Sequence, residues 1–179
     1  LYEASGAVTR LPAGEGVDPY AQEDMLLRGG PNLRFTPVLP RGGTSDTISL
    51  TSRAAAFGDL DGDGGIDAVV VNRDAPANLY RNLASAQGNW VRLHVLNSND
   101  MPALGATVSG SIGERRITRP VRRSYSYMSS NEPVIHIGLG GEQLLDGVEV
   151  RWPDDTVTAH GGLAAGKSHT IRKNPPSAD

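Results

Sequence analysis

Short apolar runs recur along the whole chain, separated by clusters of Gly, Pro, Asn and Asp. Almost none repeats at helical spacing. Alternating or β-branched runs of about four to eight residues between turn residues predict strands, so the pattern is all-β. The predicted strands are 24–28, 33–38, 68–72, 78–82, 90–96, 106–112, 115–122, 134–137, 148–152, 156–160 and 168–172. Pro12–Pro19 and Pro40–Asp46 read as loops, the Gly138-Leu139-Gly140-Gly141 segment as a turn, and 174–179 as a frayed tail. The segment 24–29 echoes 77–82, about 53 residues later, and a period near 50 suggests propeller blades of four strands.

One interruption carries chemistry. In Asp59-Leu60-Asp61-Gly62-Asp63-Gly64-Gly65-Ile66-Asp67, carboxylates alternate at 59, 61 and 63 and a fourth follows at 67. Calcium takes roughly 6–8 oxygens at about 2.3–2.6 Å, and a tight loop with an acid at every second position can aim several at one centre. The Gly65 carbonyl falls where an EF-hand uses a backbone oxygen. The loop is nevertheless not an EF-hand, because its twelfth position is Val70 rather than Glu. Ala68–Val71 follows as a β-branched run and the segment 54–58 is too short for an entering helix, so the loop joins two strands. Calcium would hold that hairpin closed and stabilise it by mass action. A catalytic metal is not suggested, since no His or activated nucleophile accompanies the acids.

Composition narrows the function classes. The 179 residues suffice for one large or two small domains. Residues 1–113 carry 8 basic and 12 acidic groups and residues 114–179 carry 9 and 8, an asymmetry suggesting two units, and the net charge of −3 gives no sign of a nucleic-acid partner. With no cysteine, disulfides and thiol ligands are excluded. No apolar run approaches the roughly 18 residues of a membrane-spanning helix. The chain opens on Leu1 without a signal peptide, and reads as a mature or trimmed product or as the ordered part of something longer.

Other clusters read as structural. Arg115, Arg116, Arg119, Arg122 and Arg123 place five arginines in nine residues. They form either a solvated strand face or a docking surface for an acidic partner or anionic head groups. Pro120 marks that strand as an edge. His94, His136, His160 and His169 read as strand residues, and Trp90 and Trp152 as packing residues rather than a sugar platform. No hydrolase elbow occurs.

Two resemblances follow from these residues. The stretch 53–64, followed by Ile66-Asp67-Ala68-Val69-Val70, resembles an FG-GAP/VCBS repeat, a propeller blade whose strand-joining loop binds calcium. It implies Asp59, Asp61, Asp63, the Gly65 carbonyl and Asp67 as ligands. Residues 88 to about 173 resemble the ASPIC/UnbV domain, through five pieces in order. These are Asn89-Trp90-Val91-Arg92-Leu93, Leu104-Gly105-Ala106-Thr107-Val108, Tyr127-Met128-Ser129-Ser130, Ile135–Gly140 and Val148–Pro153. Ser124 and Ser126 replace the family's usual glycines, and Ile137 its usual Phe. The resemblance implies a β-sandwich-like module beside a propeller, secreted and without an established activity.

The expected organisation is therefore an arm or partial blade over 1–52, a calcium-binding repeat over 53–87, a β-module over 88–173 and a tail over 174–179. One blade cannot close a ring and leaves strand edges exposed. The chain is a fragment of a longer propeller, or 1–87 packs on the β-module, or a partner covers the surface. The last two predict a non-enzymatic, periplasmic or extracellular calcium-binding interaction protein, an accessory or structural subunit docking on a larger assembly, soluble or membrane-bound. A carbohydrate-binding module or a fragment of a secreted propeller adhesion protein is the alternative.

Overall fold

The computed structural model describes residues 1–39, 43–44, 48–83 and 88–173. The expected tail at 174–179 and most of the expected loop at 40–46 lie outside the described residues. The chain divides into two units. The first comprises 1–57, 67–81 and 126–129, and the second 58–66, 82–125 and 130–179.

The first unit is built from short strands: β1 (Tyr2–Glu3), β2 (Gln22–Glu23), β3 (Met25–Gly29), β4 (Phe35–Pro37), β5 (Ser49–Leu50), β6 (Ser52–Gly58), β7 (Asp67–Asn72) and β8 (Asn78–Tyr80). They pair as β1-β3-β4, β2-β5 and β6-β7-β8. The expected strand 33–38 is shorter because Pro31–Leu33 forms a 3₁₀ turn first. Strands β1, β2 and β5 were not predicted, and β6 was expected only as the strand leading into the acidic loop, without bounds. Two-residue strands leave no periodicity to read, and the Ala54-Ala55-Ala56 stretch of β6 has little β preference of its own.

Side-chain bonds tie the first unit together. Asp24 is buried and accepts from the Tyr2 hydroxyl at 2.8 Å, the Ser5 amide at 2.7 Å and the Ser52 hydroxyl at 3.2 Å. Burial, then the bond to Asp24, pushes the Tyr2 phenol far above its ordinary pKa. Arg53 donates to the carbonyls of Gly6 at 2.9 Å and Ala7 at 3.0 Å. Part of the stretch expected as an arm or partial blade is thus held against β6.

The second unit holds β9 (Asn89–Leu96), β10 (Thr107–Ile112), β11 (Arg115–Pro120), β12 (Ile135–Gly140), β13 (Leu144–Arg151), β14 (Val157–Ala164) and β15 (Lys167–Arg172). Two sheets form, ordered β11-β10-β13-β14 and β12-β9-β15, with β15 parallel to β9 and the other pairs antiparallel. Alternation along β9 buries Val91, Leu93 and Val95; along β13 Leu145, Val148 and Val150 are buried, with a register shift between Leu145 and Val148 resetting the alternation. These join Val108, Ile135, Ile137, Leu139, Trp152 and Ile171 in one hydrophobic core lined by both sheets. The expected all-β architecture and sandwich-like module are what the residues form.

Two glycine-rich stretches depart from the sequence expectation. Gly138–Gly141 was expected as a turn, yet β12 continues to Gly140. Leu139 is buried in the core, and a register shift between Gly138 and Gly140 absorbs the irregularity. Likewise β14 runs to Ala164 and does not end at His160. Gly161 sits at φ +66°, where the pairing with β13 shifts register. In both strands the glycines carry a bulge that pattern reading takes for a break.

Candidate functional site: an acidic loop seated on the β9–β12 face

The acidic loop leaves β6 and returns as β7, so it joins two strands as its flanking residues predict. Its carboxylates close its own turns. Asp59 Oδ1 accepts the Gly62 amide at 2.8 Å and Oδ2 the Gly64 amide at 3.1 Å. Asp61 Oδ1 accepts the Asp63 amide at 3.2 Å, and Asp63 Oδ1 the Gly65 amide at 2.7 Å. Aspartate side chains form such turns readily because the carboxylate reaches backbone amides two or three residues on.

Asp59, Asp61 and Asp67 each present one carboxylate oxygen within 4.8 Å of the others. Asp67 is buried and Asp61 exposed. Asp63 is not in this converging group; it points instead to the Gly65 amide. Gly65 is buried with that amide satisfied. The donors are all hard oxygens and carry like charge at close range, a set suited to calcium or magnesium and unsuited to soft metals.

Sequence reasoning missed what lies beneath the loop. Residues 58–66 belong to the second unit through contacts with β9 and β12. Arg92 on β9 donates to Asp59 Oδ2 at 3.1 Å and to Glu132 Oε2 at 3.0 Å. The Asp59 side chain is 0% exposed and that of Arg92 15%. Removing one partner of so buried a pair costs about 3–5 kcal/mol, because the other charge is left uncompensated. His136 on β12 donates from Nε2 to the Gly64 carbonyl at 2.6 Å. A carbonyl can only accept, so the proton sits on Nε2. Burial pushes the His136 imidazole below its ordinary pKa, against the opposing effect of that bond. The Trp90 ring stacks on His136 with centroids 6.1 Å apart. It also fills the space beside Gly64, where an added Cβ would lie 1.8 Å from Trp90 Nε1. The signal was the i, i+2 spacing of Trp90 and Arg92, which places both on the face of β9 opposite its buried valines.

The remaining expected residues stay apart from this site. Arg115, Arg116 and Arg119 lie on β11, an edge strand as Pro120 suggested. Arg116 pairs with Glu149 at 2.7 Å, and Arg119 donates to the Thr118 carbonyl. Arg122 follows the strand and lies 4.5 Å from the Tyr125 ring centroid; Arg123 is exposed. Trp152 is 1% exposed, a core residue whose Nε1 donates to Thr158. His160 shares a bond with Thr158, and His169 donates to the Ala164 carbonyl. No histidine joins a metal-competent group among the described residues.

The family model described as ASPIC and UnbV matches residues 96–178. These residues carry an ASPIC/UnbV domain. Human cartilage acidic protein 1 is 28% identical over 120 residues, covering 63% of this chain and 17% of that protein. The chain therefore spans a small part of the length of that relative. The acidic loop lies before the ASPIC/UnbV match, which begins at the end of β9. No helix among the described residues is long and apolar enough to cross a membrane.

Proposed function

We propose that this chain is a non-enzymatic, extracytoplasmic interaction protein whose acidic loop binds calcium. The convergence of Asp59, Asp61 and Asp67 within 4.8 Å supports the reading most directly. Gly65 would add a carbonyl, and Asp63 would join by turning from the Gly65 amide. This is the ligand set of an FG-GAP/VCBS-like repeat, and calcium there would be structural. Asp61 is the ligand to test because it is exposed and its removal disturbs no core packing. Asp61→Ala is expected to lower the midpoint of thermal unfolding in millimolar calcium and to change it little in chelator. An equal loss in both conditions would show that Asp61 acts without an ion.

The ASPIC/UnbV domain supports the interaction part of the reading. Within it the arginine-rich edge β11 and the following Arg122 and Arg123 form the basic surface proposed to meet an acidic protein partner. Charge complementarity at such a rim governs association rate and salt dependence more than affinity. Reversing Arg115 and Arg123 to Glu should slow capture of the native partner from source extracts; unchanged capture would move the interface elsewhere. The glycan-binding alternative would rest on the exposed Tyr125 and Tyr127, since Trp152 is in the core and Trp90 packs beside Gly64.

A further inference from the structure

We propose that Arg92 is a resident counter-cation of the acidic loop, competing with calcium for Asp59, so that the ASPIC/UnbV-side strand β9 sets the loop's calcium affinity. The inference rests on the calcium reading above. Three observations carry it. Arg92 reaches the Asp59 carboxylate at 3.1 Å, and that side chain is wholly buried. Trp90 and His136 seat Gly64 from the same face, through the close approach to the ring and the 2.6 Å bond to its carbonyl. The loop's own carboxylates already close its turns. The loop is thus shaped and partly neutralised by β9 and β12. A divalent cation drawing on Asp59 must share that carboxylate with a guanidinium, and like charges at such separations repel appreciably even at an effective dielectric near 20. Arg92 also has an alternative anchor. Its second nitrogen already holds Glu132, 49% exposed, at 3.0 Å, so calcium arrival would shift Arg92 toward Glu132 without stranding its charge.

Calorimetric calcium titration of the chelator-stripped chain tests this, with terbium luminescence sensitised by Trp90 as a second readout. Arg92→Met keeps the aliphatic stem and removes the charge; it should bind calcium about tenfold or more tightly. Arg92→Lys keeps the charge and should stay within about threefold of the parent. Glu132→Gln releases Arg92 onto Asp59 and should weaken calcium about threefold, an effect that vanishes in the Arg92→Met background. Parent-like affinity in Arg92→Met, folded by circular dichroism, overturns the proposal and leaves the calcium reading standing. If Arg92→Met unfolds in chelator, refolding at calcium concentrations below the parent's Kd supports it. Failure to refold, with Glu132→Gln at parent affinity, overturns it. Binding by Arg92→Met where the parent binds none supports it strongly. Silence in both overturns it together with the calcium reading.

Discussion

Gly64→Ala isolates the seat of the acidic loop from any question of metal. Gly64 has φ +88°, in the left-handed region, and a Cβ there would lie 1.8 Å and 2.0 Å from Trp90 Nε1 and Cε2. The backbone term alone is about 1–2 kcal/mol for a non-glycine residue. The steric term cannot be absorbed by a flexible side-chain tip, because the neighbour is an indole stacked on His136. Overpacking of this kind typically adds about 1–3 kcal/mol. The total expected loss is about 2–5 kcal/mol, or a drop in Tm on the order of 5–15 °C for a chain of this size. Urea unfolding in chelator, followed by tryptophan fluorescence, measures it. Trp90→Leu supplies the control. It removes the indole, so in that background Gly64→Ala should cost only the backbone term, and the non-additivity is the steric contact. A loss below about 0.5 kcal/mol, or an equal loss in both backgrounds, would refute the reasoning.

Two other outcomes follow from the packing. Asp24→Ala leaves the Tyr2 hydroxyl and Ser5 amide without their buried acceptor and should destabilise the first unit by about 2–4 kcal/mol; hydrogen exchange at residues 1–29 would then accelerate while amides of β9 and β13 keep their protection. Asp154 has its pKa lowered to about 2, first by its bond to Lys173 and then by Thr156. Its folded pKa lies below its ordinary value of 3.8, so its contribution is present above about pH 4 and is lost as pH falls through about 2. Lys173→Met should return the Asp154 titration, followed by carboxyl NMR, toward its ordinary value; an unmoved titration would show that Thr156 suffices.

Much of this protein was legible from local pattern. Alternation placed β9, β10, β11 and β15 to within a residue or two, because one buried face imposes a period of two on each strand. Pro120 marked an edge, since it lacks the amide that a further ladder would need. The Asp-Gly loop was legible because its turns are closed by carboxylates two to five residues from the amides they bind. Strand ends at glycine bulges were not legible: a bulge and a turn use the same residues, and only burial of Leu139 and pairing across β13 distinguish them. Asp63 was expected among the converging acids; the loop's shape turns it to the Gly65 amide.

What the sequence determined by itself was therefore short-range chemistry: the strands, the hairpin loop and the carboxylates that wrap it. Only tertiary structure decided what the loop rests on. The Arg92–Asp59 pair spans 33 residues and the His136–Gly64 bond 72, and neither leaves a periodic trace. Trp90, Arg92 and His136 look like ordinary outward strand residues until β9 and β12 pair and bring all three under one loop. A contact between distant segments is set by sheet order and register, which single-residue preferences do not encode.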